Sequence, residues 1–211
     1  STIICNFYLV FSFYFNMSNK VEEIIHFWFK PDHVPWCGGK EEANKEIREK
    51  YGDLVEAAFE GKLDTWKDEP RASFALILIC DQFCRNVNKG TNQMNGLDST
   101  GLELARKFIE QKTHNHLDFS FFQRVFIYLP FEHSENQDNQ ELSIKLFARL
   151  LEDAKTPEEK KAGEKFLQAA KNHKEVIDKF GRYPQRNFFL GRENTPEEAE
   201  FLANLPSKYK W

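Results

Sequence analysis

The stretch Phe74-Ala75-Leu76-Ile77-Leu78-Ile79-Cys80-Asp81-Gln82-Phe83-Cys84-Arg85-Asn86-Val87 decides the fold class. Its apolar run from Phe74 to Cys80, taken alone, fits a buried strand as well as a buried helix. The pattern continues through Phe83, Cys84 and Val87 with no turn signal, so length favours a helix that is apolar all round for two turns. At ~100° per residue, Asp81, Gln82, Arg85 and Asn86 then share an arc of about 140°. A helix this buried presents four polar groups only where they have partners, because an unpaired buried charge is costly. Two readings stand side by side: an Asp81–Arg85 pair at i,i+4 where the helix emerges into solvent, or one wall of a polar pocket.

Working outward, the same helical period repeats. Val21, Ile24, Ile25 and Trp28 mark a first helix that must stop before Pro31, and Pro31 to Gly39 reads as a loop. Ile47, Tyr51, Leu54, Val55, Ala58 and Phe59 form a stripe ending at Gly61. Leu97 to Ile109 is another helix, and Ser120 with Gln123 makes a capping box ahead of Phe122, Val125, Phe126 and Leu129. Leu142, Leu146, Phe147, Leu150 and Leu151 mark the next. Thr156-Pro157-Glu158-Glu159 and Thr195-Pro196-Glu197-Glu198 each combine a Thr N-cap, Pro at the first helical position and Glu at the third. Phe166, Ala169, Ala170, Val176, Ile177 and Phe180 follow the first of these on one stripe ending at Gly181. No strand alternation competes. The expected fold is therefore all-α.

Composition agrees. The chain has 211 residues, 41% hydrophobic and 15% aromatic with 21 Phe, enough to build one sizeable core. A net charge of -4 excludes a broadly basic nucleic-acid surface. Four cysteines (Cys5, Cys37, Cys80, Cys84) form no disulfide framework; Cys80 and Cys84, with apolar neighbours, read as small buried hydrophobes. The expected compartment is the reducing cytoplasm. Ser1–Asn16 breaks from the rest: Ile3 to Phe15 is almost wholly apolar, yet shorter than the ~20 residues of a membrane span. It lacks a basic n-region and a small-residue cleavage site. The expectation is a leader at 1–16 outside the fold and a single helical domain at 17–211, with no membrane partner unless that leader is real.

Two further segments depart from helix-building rules. Pro130-Phe131-Glu132-His133-Ser134-Glu135 reads as a connection between helices. It sets His133 among carboxylates, where an imidazole can act as a general acid/base with a tuned pKa or serve as one ligand of a metal needing others from elsewhere. Its alternative is a solvated loop in which Ser134 or Glu135 caps the next helix. Phe180-Gly181-Arg182-Tyr183-Pro184-Gln185-Arg186-Asn187, running on to Leu190-Gly191-Arg192, places three arginines in eleven residues. Guanidinium forks suit carboxylate or phosphate, and equally suit tying loops to the fold's own acids. His173 lies on the apolar stripe of the preceding helix, as a satisfied core group or as a catalyst.

These segments, with Phe27-Trp28-Phe29, Gly61-Lys62-Leu63-Asp64-Thr65-Trp66 and Thr195-Pro196-Glu197-Glu198, resemble the largely bacterial domain-of-unknown-function family 924 nearly throughout, from Val21 to the C-terminus. The resemblance implies an all-α fold, an array of antiparallel helices similar to tetratricopeptide-type arrays, and no assigned activity. Two positions depart from the family pattern: Cys84, where Pro is common, and Gln185, where His is common. The second puts an obligatory imidazole at Gln185 in doubt.

Three functions follow as expectations. In the first, the polar segments line an inter-helix cleft that binds a small anionic ligand or an acidic peptide end, through Arg85, Arg182, Arg186 and Arg192 with Gln82, Asn86 and Asn187. In the second, an enzyme uses His133 with Glu135 or Asp81, or His173, in proton transfer. The third is a protein–protein adaptor, by fold analogy alone. The chain has no P-loop, Rossmann glycine pattern, serine nucleophile elbow or HExxH. No cofactor, metal centre or nucleic-acid partner is expected, and the oligomeric state stays open.

Overall fold

The structure, a computed structural model, describes residues 17–30 and 41–209. The leader 1–16, the loop 31–39, Cys5 and Cys37 lie outside the described residues. The rest is helical, with no strand among the described residues. In order come α1 (17–28), α2 (Glu41–Phe59), a 3₁₀ turn (Asp64–Asp68), α3 (Pro70–Ile77), a π-helical segment (Leu78–Phe83), α4 (Cys84–Val87), α5 (Asp98–Glu110), α6 (Phe121–Glu132), α7 (Gln137–Glu152), α8 (Pro157–Phe180) and α9 (Pro196–Ala203). α3, the π segment and α4 are one unbroken rod, which answers the strand-or-helix ambiguity of the apolar run.

That rod is the axis of the core. Ala72 to Asp81 are all buried, as are Phe83 and Cys84. Phe83 stands 5.4 Å from the Trp28 ring and 5.0 Å from that of Tyr51, and Trp28 in turn lies 5.5 Å from Phe126. Rings of α1, α2, the rod and α6 thus meet at the contact distances aromatic pairs favour, each adding to the area it buries. Within the rod, one turn opens so that the Cys84 amide donates to the Ile79 carbonyl five residues back. Such insertions are infrequent and concentrate at functional sites.

Start signals behave as their chemistry dictates. Ser120, Thr156 and Thr195 each accept from the third backbone amide, while Gln123, Glu159 and Glu198 reach back to the cap. α8 ends at Gly181 in the left-handed region, φ +69°. α6, α7 and α8 pack on one another in chain order, joined by four-residue connections. Gly163 lets α8 lie close to α7, since a Cβ there would stand 3.2 Å from the Leu151 Cα.

Two expectations are corrected. Pro130, Phe131 and Glu132 belong to α6 rather than to a connection. Pro130 gives up one amide donor near the helix end, where its buried ring still packs in the core. α7 is capped by Asn136, whose side chain accepts from the Asn139 amide, not by Ser134 or Glu135.

Thr156→Ala and Thr195→Ala each remove one such cap and should each lower stability by about 0.5–2 kcal/mol. Urea unfolding midpoints check this; midpoints equal to wild type would mean that the helices hold their ends by packing alone.

Candidate functional site

The site grows from a single buried group. Asp81, inside the π segment, is 1% exposed. Its Oδ1 accepts from His133 Nδ1 at 2.7 Å and from Arg85 at 3.3 Å, and its Oδ2 from Gln82 at 2.6 Å. Burial alone would raise this carboxyl; the His133 ring and the Arg85 guanidinium outweigh it and hold Asp81 ionised, well below the usual carboxylate range. His133 caps the C-terminal end of α6. Burial pulls its ring below the ordinary imidazole value, with Asp81 opposing and Arg85 adding to the fall. A neutral ring facing a carboxylate through Nδ1 carries its proton there, so Nε2 holds the lone pair. A ring so held can take a proton or bind a metal.

Arg85 continues the network to Asp98, at the start of α5, over 2.7 Å. Gly101 of α5, one turn on, faces Cys80 and Asp81 of the rod. Arg186 approaches the same Asp98 carboxylate at 3.4 Å. It also donates to the His133 carbonyl at 2.8 Å and stacks over Tyr183 at 4.7 Å. Burial, and then Arg85 beside it, lower Arg186 from the ordinary guanidinium value. Two guanidiniums from segments 101 positions apart therefore share one carboxylate. The side chains of Arg85, Arg186, Asp98 and His133 all keep some contact with solvent, at 15–23%.

Behind His133 lies a second histidine–carboxylate pair. His173 of α8 sits 3.1 Å from Glu132 Oε1 through Nδ1, which also bonds the Ala169 carbonyl at 2.9 Å. Both residues are almost fully buried. Burial raises the Glu132 carboxyl well above the ordinary value, with Asp81 contributing, and lowers His173 to about 3. Burial thus drives both members of the pair toward their neutral forms. The Glu132 carbonyl is pinned by the Tyr183 hydroxyl at 2.5 Å and by Gln140 at 2.7 Å. The two histidine rings lie 6.1 Å apart.

The remaining sequence-derived candidates fall into a neighbouring cluster. Arg192 forks onto Glu135 at 2.7 and 3.0 Å, and Glu135 also accepts from the Tyr183 amide at 2.9 Å. Arg182 forks onto Glu198 at 2.7 and 2.8 Å. Asn187 bonds Asn194 and Glu198 and accepts from Arg192 at 2.8 Å. Arg182, Arg192 and Asn187 thus bind the fold's own acids and amides, tying the loop after α8 to α9 and to the connection after α6. Asn86 bonds back to the Gln82 carbonyl. His133 takes Asp81 as its carboxylate, while Glu135 is engaged by Arg192.

Sequence reading missed Glu132, Asp98, Tyr183 and Gln140. Glu132 left a signal, since it continues the Val125–Leu129 stripe as an acid where the core expects an apolar residue. Asp98 left none, because an acid in the first turn of a helix is ordinary.

Glu132 makes a pH prediction. Folded, it keeps its proton where an unfolded glutamate, near 4.5, has lost it, so it costs stability as pH rises above that value. His173 acts on the other side: the unfolded ring, near 6.5, takes up a proton before the folded one does, so stability falls as pH drops from 6.5 toward 3. Glu132→Gln should raise the denaturant midpoint in metal-free buffer, by more at pH 8 than at pH 5. An equal gain at both pH values would mean that Glu132 is ionised in the folded protein.

The family described as "Bacterial protein of unknown function (DUF924)" matches residues 24–205. A solved structure of a protein of unknown function, ATU0120 from Agrobacterium tumefaciens, is 30% identical, with a TM-score of 0.76 over 89% of this chain and 99% of that one. No curated protein matches.

Proposed function

The chain belongs to the DUF924 family, and we propose that it binds a small anionic ligand, a carboxylate or a phosphate, between Arg85 and Arg186. The observation that carries this reading is the convergence of both guanidiniums on the one partly exposed carboxylate of Asp98. A carboxylate held between two arginines marks the chemistry that the pair accepts, since guanidinium forks match carboxylate and phosphate oxygens. Arg186 is the better docking group of the two. It is stacked on Tyr183 and held by the His133 carbonyl, yet its contact with Asp98 is long, at 3.4 Å. The two neighbouring cations repel each other, and an added anion relieves that repulsion in a region of low dielectric. Arg182 and Arg192 are left out of the ligand contacts because each is already forked onto a carboxylate.

Arg186 also supports the fold, so Arg186→Ala would confound binding with stability. Arg186→Lys keeps the charge and loses the fork. Asp98→Asn removes the internal carboxylate that competes with the ligand. Calorimetry with inorganic phosphate and with succinate should show binding to wild type, weakened about tenfold or more in Arg186→Lys and tightened in Asp98→Asn, a tenfold change being 1.4 kcal/mol. Absence of binding to both wild type and Asp98→Asn sinks the reading.

A further inference from the structure

We propose that Glu132, His133 and His173 form a binding site for a first-row divalent metal ion, of which Zn²⁺ is the reference. This goes beyond the anion-binding reading and does not rest on it. One ligand atom from each of the three residues lies within 4.8 Å of the others. Tetrahedral zinc with bonds near 2.0–2.1 Å needs ligand atoms about 3.4 Å apart, so modest side-chain adjustment closes the set.

The second observation is Glu132 itself. Its residue is 2% exposed, and its Oε2 is buried with no hydrogen-bond partner among the described residues. Leaving such an oxygen unsatisfied costs about 1–3 kcal/mol, which native proteins rarely tolerate without a reason. A cation bonded to that oxygen supplies the reason.

The third is the way both rings are held. His133 gives Nδ1 to the Asp81 carboxylate at 2.7 Å, and His173 gives Nδ1 to the Ala169 carbonyl at 2.9 Å with Glu132 Oε1 3.1 Å from the same nitrogen. Metal-bound histidines are oriented in this manner, through a carboxylate or backbone carbonyl on the nitrogen opposite the metal, which fixes the tautomer and strengthens the donor. Tyr183 and Gln140 hold the backbone at Glu132, so the ligands sit on a supported frame. Two imidazoles and one carboxylate suit zinc and its neighbours rather than magnesium or calcium, which prefer oxygen alone. The ion would meet Arg85 and Arg186 as repelling neighbours, offset by the charge of Glu132 once metal-bound and of Asp81 behind His133. Three protein ligands leave coordination positions for water or for another molecule.

The experiment uses the full chain, stripped with chelator and titrated with ZnCl₂ and with CoCl₂ in a non-coordinating buffer free of added anions. We expect one equivalent of Zn²⁺ to bind, and Co²⁺ to give the visible absorption of a low-coordinate nitrogen/oxygen site without a thiolate charge-transfer band. Glu132→Gln and His173→Gln should each weaken Zn²⁺ binding by about 100-fold or more, and Asp81→Asn by about 10–100-fold through His133. Cys84→Ala should leave it unchanged. Circular dichroism checks that each variant folds; if one does not, the wild-type cobalt spectrum and the Cys84→Ala control decide. No binding at one equivalent, affinity unchanged in folded Glu132→Gln and His173→Gln, or a thiolate band would overturn the proposal. Phosphate binding to metal-free protein would survive that failure, which keeps the two readings separable.

Discussion

The rest of the polar architecture depends on an ionised carboxylate placed in the middle of the most buried helix. Asp81 follows seven consecutive apolar residues and is almost inaccessible to water. A charge there persists only if neighbours replace the hydration it has lost, and here one histidine, one arginine and one glutamine do so. Each of those neighbours then requires a partner of its own. Arg85 draws in Asp98 and with it α5; His133 fixes the end of α6; the His133 carbonyl receives Arg186 from the loop after α8. A single buried charge therefore links four separate stretches of chain.

The π-helical turn belongs to this picture. It interrupts the rod over Leu78–Phe83, the turn that carries Asp81. On one side Phe83 packs against Trp28 and Tyr51, and on the other Gly101 of α5 lies against Asp81. Buried on all sides and hydrogen-bonded to three side chains, Asp81 is held against His133. That rigidity is what a positioned imidazole needs, whether it transfers a proton, binds an ion or only anchors the loop.

Two clusters that look alike in sequence separate in energetic character. Arg182 and Arg192 make bidentate pairs with Glu198 and Glu135, geometries in which both partners are satisfied. Arg85 and Arg186 instead crowd together over one shared carboxylate, beside two histidines and a glutamate that burial pushes toward their neutral forms. The first cluster closes the loop onto the body of the protein. The second retains unspent interaction capacity at the edge of solvent, and ligands are best sought there.

The sequence by itself determined the helical class, the Ser120, Thr156 and Thr195 caps and the stop at Gly181, because these follow from periodicity and from bonds spanning three or four residues. It also singled out Asp81, Arg85, His133, His173 and Arg186 as out of keeping with their surroundings, but on the same footing as Glu135, Arg182 and Arg192, which tie the loop to the fold. Beyond the local Asp81–Arg85 pair, it could not supply their partners. The choice of Asp81 rather than Glu135 for His133 spans 52 positions, and the approach of Glu132 to His173 spans 41. No local rule reaches that far. Nor could it see the π turn, since the same apolar run fits either helix type, or the role of Asp98, which resembles any acid at a helix start. The polar constellation came from packing: α5, α6 and α8 had to be brought against one rod before a carboxylate, two histidines and two arginines became neighbours.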